Sequence, residues 1–365
     1  MTDQSVIKVG STATSFFGKL KTVLARRTEG RAVVLFAIIA SFVTISQPLV
    51  FTAYQVTLGR IALIGLVALG LTAVILMGEL DLSVASTLAV SGVIAVTVAN
   101  QTNMLIGVLA ALAAGVVVSL INAFFVAIVG INSFIATLGM LFALRGMAFV
   151  ISDEAPVKLL NTDLGIAFGQ PLIGPLTPRI LIFFLIFIAI QVFVSRVKAG
   201  REFLAVGGNR QAAYDAGIPV KRRIFTGFII SGVVASIAGI INAVERTSAD
   251  PTSGSTVLLA SFAAAIIGGN YLKGGKGSIV GTLIGAASLG MLQVALTISG
   301  IQIPVQEIFI GGILLIAVIT DPSSLRAVWG SLSTTFQGIK NSLFSSAREK
   351  GSTPSIVKTG KERGN

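Results

Sequence analysis

Two carboxylates two positions apart, in Gly78-Glu79-Leu80-Asp81-Leu82-Ser83-Val84-Ala85-Ser86, interrupt a stretch of chain that is otherwise almost free of charge. An acid in apolar surroundings is costly, and function or a structural bond must offset the cost. Asp81 and Ser83 carry side chains that cap helix starts, so the segment reads as a break between two helices. Two uses stand open. The break could turn free backbone groups, Glu79 and Asp81 toward a polar pathway, or it could be a wet interfacial loop in which the acids only cap. Proton relay is the weaker chemistry, since the sequence has no His and neither acid has a basic partner within its own segment. The absence of His and Cys also excludes zinc fingers, thiol or His nucleophiles and Ser–His–Asp triads. No catalytic residue, metal or cofactor is expected.

A second polar element is Asn132-Ser133-Phe134-Ile135-Ala136-Thr137-Leu138-Gly139. Asn132 or Ser133 can cap a helix, and Thr137 falls one turn on along the same face. Phe134 and Thr137 offer an aromatic ring and a hydroxyl, which suit a polyol in a sugar-width path. The more ordinary reading is that they are cap and helix-packing residues, since small hydroxyl residues are common in such interfaces. The third element is Asn209-Arg210-Gln211-Ala212-Ala213-Tyr214-Asp215-Ala216-Gly217-Ile218-Pro219. An Asn cap, about seven helix-compatible residues, a closing glycine and a Pro just beyond predict a short helix of roughly 10 Å. Basic arms at 196–201 and 221–223 flank it. Such a helix suits pressing on a soluble partner at a membrane surface, or lying on anionic lipid held by its arms.

The run Gly268-Gly269-Asn270-Tyr271-Leu272-Lys273-Gly274-Gly275-Lys276-Gly277-Ser278 invites a phosphate-loop reading and fails it. That pattern needs Gly where Asn270 stands and Ser or Thr where Gly277 stands. A tight turn is expected instead, leading into a helix that Gly281 and Gly285 let approach a neighbour. The polar loop at Glu245, Arg246 and Asp250 could receive a solute-delivering protein or be a plain solvated loop. Pro304 marks the first turn of a last helix.

The elements that must hold these groups are apolar helices. The 365-residue chain is 54% hydrophobic and only 12% charged, with a mean hydropathy of +0.91. About 20 apolar residues at 1.5 Å each cross a roughly 30 Å hydrocarbon layer. Spans are predicted at about 32–51, 60–77, 84–99, 104–128, 133–151, 179–196, 223–243, 256–271, 279–299 and 303–320. The charge-free run 82–144 holds three of them, broken near Asn100–Asn103 and Gly130–Asn132.

The net charge of +12 follows the same map. Residues 1–31, 196–223 and 321–365 carry net charges of +4, +5 and +4, so the rest of the chain is close to neutral. A nucleic-acid binder would spread its basic residues over one folded face; none is indicated. Basic blocks at two termini and one loop are the positive-inside pattern of a multi-pass membrane protein. Six spans separate the first block from the second and four separate the second from the third, so all three share one side. The domains expected are a basic cytoplasmic tail (1–31), a transmembrane domain (32–320) with a cytoplasmic loop at 197–222, and a second basic tail (321–365).

Together these pieces resemble the permease subunits of bacterial ABC sugar importers of the ribose/xylose/arabinose type. The family's G-G-I-D-L-S-V-G-S element is matched from Gly78 to Ser86, and its F-I-A-T-L element from Phe134 to Leu138, with Arg145-Gly146 following. The A-x-G-G-N-x-x-A-A-x-x-x-G-I element is matched at Ala205, Gly207, Gly208, Asn209, Ala212, Ala213, Gly217 and Ile218. The late G-G-x-x-L-x-G-G-x-G-x-x-x-G-T element is matched at Gly268, Gly269, Leu272, Gly274, Gly275, Gly277, Gly281 and Thr282. The similarity covers about 55 to 320. Glu79, Leu80 and Ala85 depart from it, standing where the family has Gly, Ile and Gly. The extra carboxylate either alters which solute passes or marks pairing with a non-identical sibling subunit.

The resemblance implies an all-α polytopic membrane protein of about ten transmembrane helices, with the fold of type II ABC-importer permeases, in the bacterial inner membrane. It implies two permease subunits, identical or sibling, around a sugar path, and a periplasmic sugar-binding protein that delivers the solute. A cytoplasmic ATPase, which would carry out the hydrolysis, would dock on the short helix, with Asn209, Ala212, Ala213, Tyr214, Asp215 and Gly217 as the coupling residues. Glu79, Asp81, Ser83, Asn132, Phe134 and Thr137 are the candidates for the path. The alternatives are a permease for a nucleoside or a branched-chain amino acid, and an ion-coupled secondary transporter.

Overall fold

In lipid no water is available to an unpaired amide or carbonyl, so a chain this apolar must satisfy its backbone inside helices or a closed barrel. It forms helices. The computed structural model describes residues 29–319. Among them lie fourteen helices: α1 (Gly30–Ser46), α2 (Leu49–Thr52), α3 (Tyr54–Ile75), α4 (Val84–Gln101), α5 (Met104–Phe124), α6 (Ser133–Ile151), α7 (Thr162–Gly169), α8 (Pro178–Arg196), α9 (Lys198–Gly208), α10 (Arg210–Asp215), α11 (Val220–Glu245), α12 (Ser255–Ile267), α13 (Ile279–Ile298) and α14 (Ile303–Ile319). The predicted basic tails, up to residue 28 and from residue 320, lie outside the described residues.

Seven helices are long and apolar enough to cross a membrane: α3, α4, α5 with its π-helical extension Phe125–Val129, α6, α8, α11 and α13. Three shorter apolar helices, α1, α12 and α14, fall where the remaining spans were predicted. The predicted breaks are present and have local causes. Asn103 caps α5, its carboxamide accepting from Ile106 N at 3.0 Å. Gly130, at φ +84°, ends the π-helical turn, and Asn132 caps α6 by accepting from Phe134 N at 2.9 Å.

Several boundaries differ from the prediction. The first span was expected to reach residue 51, but α1 stops at Ser46 because Pro48 cannot continue it. α11 begins at Val220, so Lys221, Arg222 and Arg223 form its first turn rather than a preceding loop. α9 was read as a basic loop arm. It forms because Phe203 and Val206 share a buried face, with Phe203 edge-on to Phe193 of α8 at 5.5 Å, while Glu202 pairs with Arg223 of α11. α12, expected over 256–271, has 13 residues, about 20 Å at 1.5 Å each and short of a full crossing. The non-helical run Asp250–Gly254 leads into it, and Gly254 sits against the backbone of Ala85 in the first turn of α4.

α3 is apolar around its whole circumference and buried along nearly all its length, as an inner helix must be. It packs on α8, α11, α12 and α13, while α11 also packs on α4 and α5. Lipid tails give apolar helices no reason to associate, so close packing of small residues and interhelical hydrogen bonds hold such bundles. Ser91 of α4 donates to Ser236 of α11 at 2.9 Å. Gly281 and Gly285 of α13 do bring it close to a neighbour: a Cβ on either would collide with the carbonyl of Gly268 or Ala264.

The connections sort to two ends. At one end lie the α3–α4 junction, α9, α10, the α12–α13 turn and the start of α1, where Glu29 accepts from Ser278 Oγ at 2.8 Å. At the other, Asn100 bonds Lys158 O and Leu160 N, at 2.8 and 2.9 Å, Val157–Lys158 pairs antiparallel with Ser248–Ala249, and Arg179 pairs with Glu245. Lys198, Arg201, Lys221, Arg222, Lys273 and Lys276 belong to the first end. Asp153, Glu154, Asp163 and Asp250 belong to the second.

Candidate coupling and translocation site

α3 ends in a left-handed glycine. Gly78 has φ +77°, its amide reaches Ile75 O at 2.9 Å and the next amide, of Glu79, reaches back to Val74 O at 3.2 Å. This is the usual way of satisfying the last carbonyls of a helix, and it turns the chain sharply out of α3. The five residues that follow are non-helical, so their backbone groups need partners from elsewhere.

α6 supplies them. Leu80 N donates to Ser133 Oγ at 3.0 Å and Leu82 N to Thr137 Oγ1 at 3.1 Å. Thr137 Oγ1 itself donates to Ser133 O at 2.7 Å. The expectation that this break turns free backbone toward a polar cavity is therefore corrected: hydroxyls of a neighbouring helix already occupy those groups. Thr137 is fully buried and Ser133 nearly so.

Asp81 is the centre of the junction. One carboxylate oxygen accepts from Ser83 N at 3.1 Å and Ser83 Oγ at 2.6 Å; the other accepts from Ser231 Oγ of α11 at 2.8 Å. Ser83 in turn accepts from Asn122 Nδ2 of α5 at 2.8 Å. Asp81 is 2% exposed, so neither a wet loop nor an open pathway describes it. Of the two expected caps only Asp81 acts on the backbone, since the Ser83 hydroxyl is spent on Asp81. Three donors satisfy a carboxylate that burial would otherwise penalise heavily.

Glu79 behaves differently. Its side chain is 7% exposed and pairs with Arg210, the first residue of α10, whose side chain is 51% exposed. The basic partner missing from its own segment thus arrives from a helix more than 130 residues away.

α10 itself matches the predicted helix closely. Asn209 Oδ1 accepts from Ala212 N at 3.0 Å and Gly217, at φ +78°, closes the far end. Ala213 is 4% exposed, whereas Tyr214 is 68% exposed and Gln211, Ala212 and Asp215 are also open. Just before α10 the backbone meets two other turns. Gly275 N donates to Leu76 O at 3.0 Å, and a Cβ on Gly207 would collide with both of those groups. The end of α3, the end of α9 and the α12–α13 turn are thus in backbone contact. The failed phosphate loop has a structural purpose. Asn270 bonds Ala265 O, Thr282 Oγ1 and Ser278 N, at 2.6, 2.8 and 2.9 Å, and Ser278 caps α13.

Of the six path candidates, Glu79, Asp81, Ser83 and Thr137 come together in this one buried junction. Asn132 and Phe134 lie on the exposed face of α6, Phe134 at 46%. Sequence reasoning missed Arg210, Ser231 and Asn122, which complete the junction from three other helices. It also missed the run Asp250–Gly254, whose Thr252 is exposed beside Ser255 of α12. With α11 as a ruler, Ser231 stands eleven residues, about 16 Å, along a helix of 26. Gly254, one turn beyond Asp81, is near mid-bundle. A cavity of about 280 Å³ at the second end, among Met104, Val108, Phe168, Ile182 and Ile240, is lined by apolar side chains. It presents no hydrogen-bonding side chain to a polar solute.

Comparisons with known proteins agree with this architecture. The chain is similar to the ribose import permease of Escherichia coli K12, 35% identical over 301 residues that cover 80% of this chain and 93% of the relative. It is similar to the L-arabinose transport system permease of the same organism, 38% identical over 73% of this chain and 81% of the relative. It is also similar to the D-allose transport system permease, 35% identical over 80% and 90%. No solved structure gives a significant match. Residues 54–318, which hold the whole junction, α10 and both glycine-rich turns, match the family model described as the permease component of branched-chain amino acid transport systems. The chain is a multi-pass inner-membrane protein and belongs to that permease family.

Proposed function

We propose that this chain is the membrane-spanning subunit of an ATP-driven importer that moves a sugar, a pentose, hexose or related polyol, into the bacterial cell. The observation that carries the reading is α10: a capped helix at the basic end of the bundle, anchored by Ala213 and open to solvent through Gln211, Ala212, Tyr214 and Asp215. A helix of six residues with few apolar contacts of its own has little reason to exist except to meet a partner. The partner proposed is a cytoplasmic ABC ATPase, which hydrolyses ATP in place of this chain. The sugar assignment rests on the ribose, arabinose and allose relatives.

The orientation proposed puts the basic end, both termini included, in the cytoplasm, because Lys and Arg outnumber acids there while acids outnumber them at the other end. A periplasmic sugar-binding protein would then meet the outer loops around Glu245, Arg246 and Asp250. A second permease subunit, identical or sibling, would complete the path. The junction's polar groups are occupied by one another, and the second copy would supply the facing wall of a hydrophilic route. The run Asp250–Gly254 supports the same view. Non-helical backbone at membrane depth is tolerated only where protein covers it or a water-filled cavity runs beside it. The exposed residues Thr252 and Ser255, whose hydroxyls donate to Asp250 Oδ1 and Thr252 O and can still accept, with Phe134 of α6 and its cap Asn132, are proposed to border that route. Glu79, Asp81, Ser83 and Thr137 would set its shape from behind. Closure of the ATPase pair would push α10 and rock the bundle, exposing the route to one side at a time.

The test is uptake in proteoliposomes holding this chain with an ABC ATPase and a sugar-binding protein from the same organism. Labelled ribose, arabinose and allose would be offered, with leucine as the second reading that the family description raises. Accumulation of a sugar that requires ATP is expected. Uptake by the chain alone under an ion gradient would overturn the reading in favour of a secondary transporter.

A further inference from the structure

We infer that the Glu79–Arg210 ion pair is the tether through which α10 moves the α3–α4 junction, which makes both side chains positioning residues for coupled transport. The inference rests on the importer reading for its purpose and on geometry for its existence. Among the described residues, Arg210 is the α10 side chain that reaches a polar group on another element. Gln211 is bonded to Asp215 within the same helix at 2.9 Å, and Ala213 contributes a single methyl group. At the other end of the pair, Glu79 has Arg210 as its ion-pair partner among the described residues, and its carboxylate is more than nine-tenths buried.

That asymmetry gives the pair its mechanical character. Withdrawing Arg210 strands the Glu79 charge where water hardly reaches, whereas the half-exposed Arg210 can be hydrated. α10 therefore cannot leave the junction while Glu79 stays where it is: the carboxylate follows Arg210, or it must be hydrated. Glu79 is two residues from Asp81, which is tied to α4 through Ser83 and to α11 through Ser231, and whose neighbours Leu80 and Leu82 are tied to α6. A displacement of α10 that Glu79 follows thus reaches three spans at once. The Gly78 turn, at φ +77° and packed against the backbone of Lys273 and Gly274, holds the end of α3 in place on the other side of this node.

The experiment has two arms, with Glu79→Gln, Arg210→Gln and the exchanged pair Glu79→Arg/Arg210→Glu. In the first, the chain alone in lipid nanodiscs is followed by amide hydrogen exchange. The two single variants should speed exchange of the 211–217 amides about tenfold or more, and the exchanged pair should slow it again. In the second, the complex with its ATPase and binding protein is reconstituted, and solute moved per ATP is measured. The single variants should keep the ATPase bound and hydrolysing while the ratio falls about tenfold, and the exchanged pair should recover most of it. Unchanged exchange in both single variants, or an unchanged ratio, would overturn the inference, as would failure of the exchanged pair to recover either readout. An unaltered complex that shows no ATP-driven uptake would instead sink the importer reading, and the exchange arm would still decide whether the tether exists.

Discussion

Asp81 and Ser231 stand 150 positions apart and share a buried hydrogen bond of 2.8 Å, the carboxylate of a helix break held by a hydroxyl from the middle of α11. The bond explains how an acid can sit inside this bundle without a cation beside it. Ser83 provides two donors and Ser231 a third, so the carboxylate is satisfied by dipoles fixed on two elements. It also means that the break between α3 and α4 cannot open without disturbing α11. A segment that looked like a place for solute contact is first of all a place where helices are joined.

Ser231→Ala should therefore cost more than a surface hydroxyl would. One oxygen of a buried carboxylate loses its donor, a loss of about 1–3 kcal/mol. Ser83→Ala removes a bond to Asp81 and the acceptor of Asn122 together and should cost more than Ser231→Ala. Thermal unfolding of the purified protein in detergent checks both, and equal stability of Ser231→Ala and the parent would count against the junction as described.

Tyr214 and Ala213 are adjacent on α10 yet should fail in different ways. Tyr214 is 68% exposed, so Tyr214→Ala should leave the fold intact and weaken ATPase binding, read by co-purification. Ala213 is 4% exposed, so Ala213→Glu places a charge in the packing beneath α10 and should destabilise the chain itself. The position facing the bundle is a poor probe of the partner. Retained ATPase binding in Tyr214→Ala together with a normal fold in Ala213→Glu would reverse this assignment.

The helices were legible because their signals are local. Long apolar runs, the break near Asn100–Asn103, Asn132 as a cap, Gly217 as a stop and Pro304 as a start each act within a few residues. α9 was missed because its basic residues suggested a loop. Its amphipathic face, Phe203 and Val206 toward the bundle, becomes meaningful only with Phe193 and Arg223 in place. The candidate site divides in the same way. Glu79, Asp81, Ser83 and Thr137 were picked out as polar groups in apolar surroundings, and the structure gathers them. Their partners Arg210, Asn122 and Ser231 come from distant helices, where a lone hydroxyl in an apolar run carries no mark of what it binds.

Gly207→Ala should impair coupling more than Gly217→Ala. A methyl group at Gly207 meets the Leu76 carbonyl and the Gly275 amide, backbone groups that cannot turn aside. Forcing α9 away from the other two turns should cost about 1–3 kcal/mol and displace α10 from the junction. Gly217 has open space around it, and its φ of +78° exacts about 1–2 kcal/mol from Ala without moving a neighbour. Solute moved per ATP should fall in the first variant and hold near the parental value in the second. The opposite ranking would mean that the end of α10, rather than the three-way backbone contact behind it, holds Arg210 in register with Glu79.

A water-filled route beside the start of α12 should be open to small polar reagents. The chain has no Cys, so a single introduced thiol reports without background. Thr252→Cys and Ser255→Cys lie beside mid-bundle non-helical backbone, which lipid would not tolerate but a cavity would. Both should react with a membrane-impermeant, charged thiol reagent in the assembled complex, and the transported sugar should slow the reaction. Leu185→Cys on α8 is also exposed in the single chain, at 68%, but stands on a continuous apolar helix face. It should stay unreactive because lipid covers it. If Leu185→Cys reacts as readily as Thr252→Cys, exposure alone explains the labelling and the route does not run beside α12. If neither thiol at 252 nor 255 reacts, protein covers this backbone instead of water, and the path must be sought along α6 near Phe134.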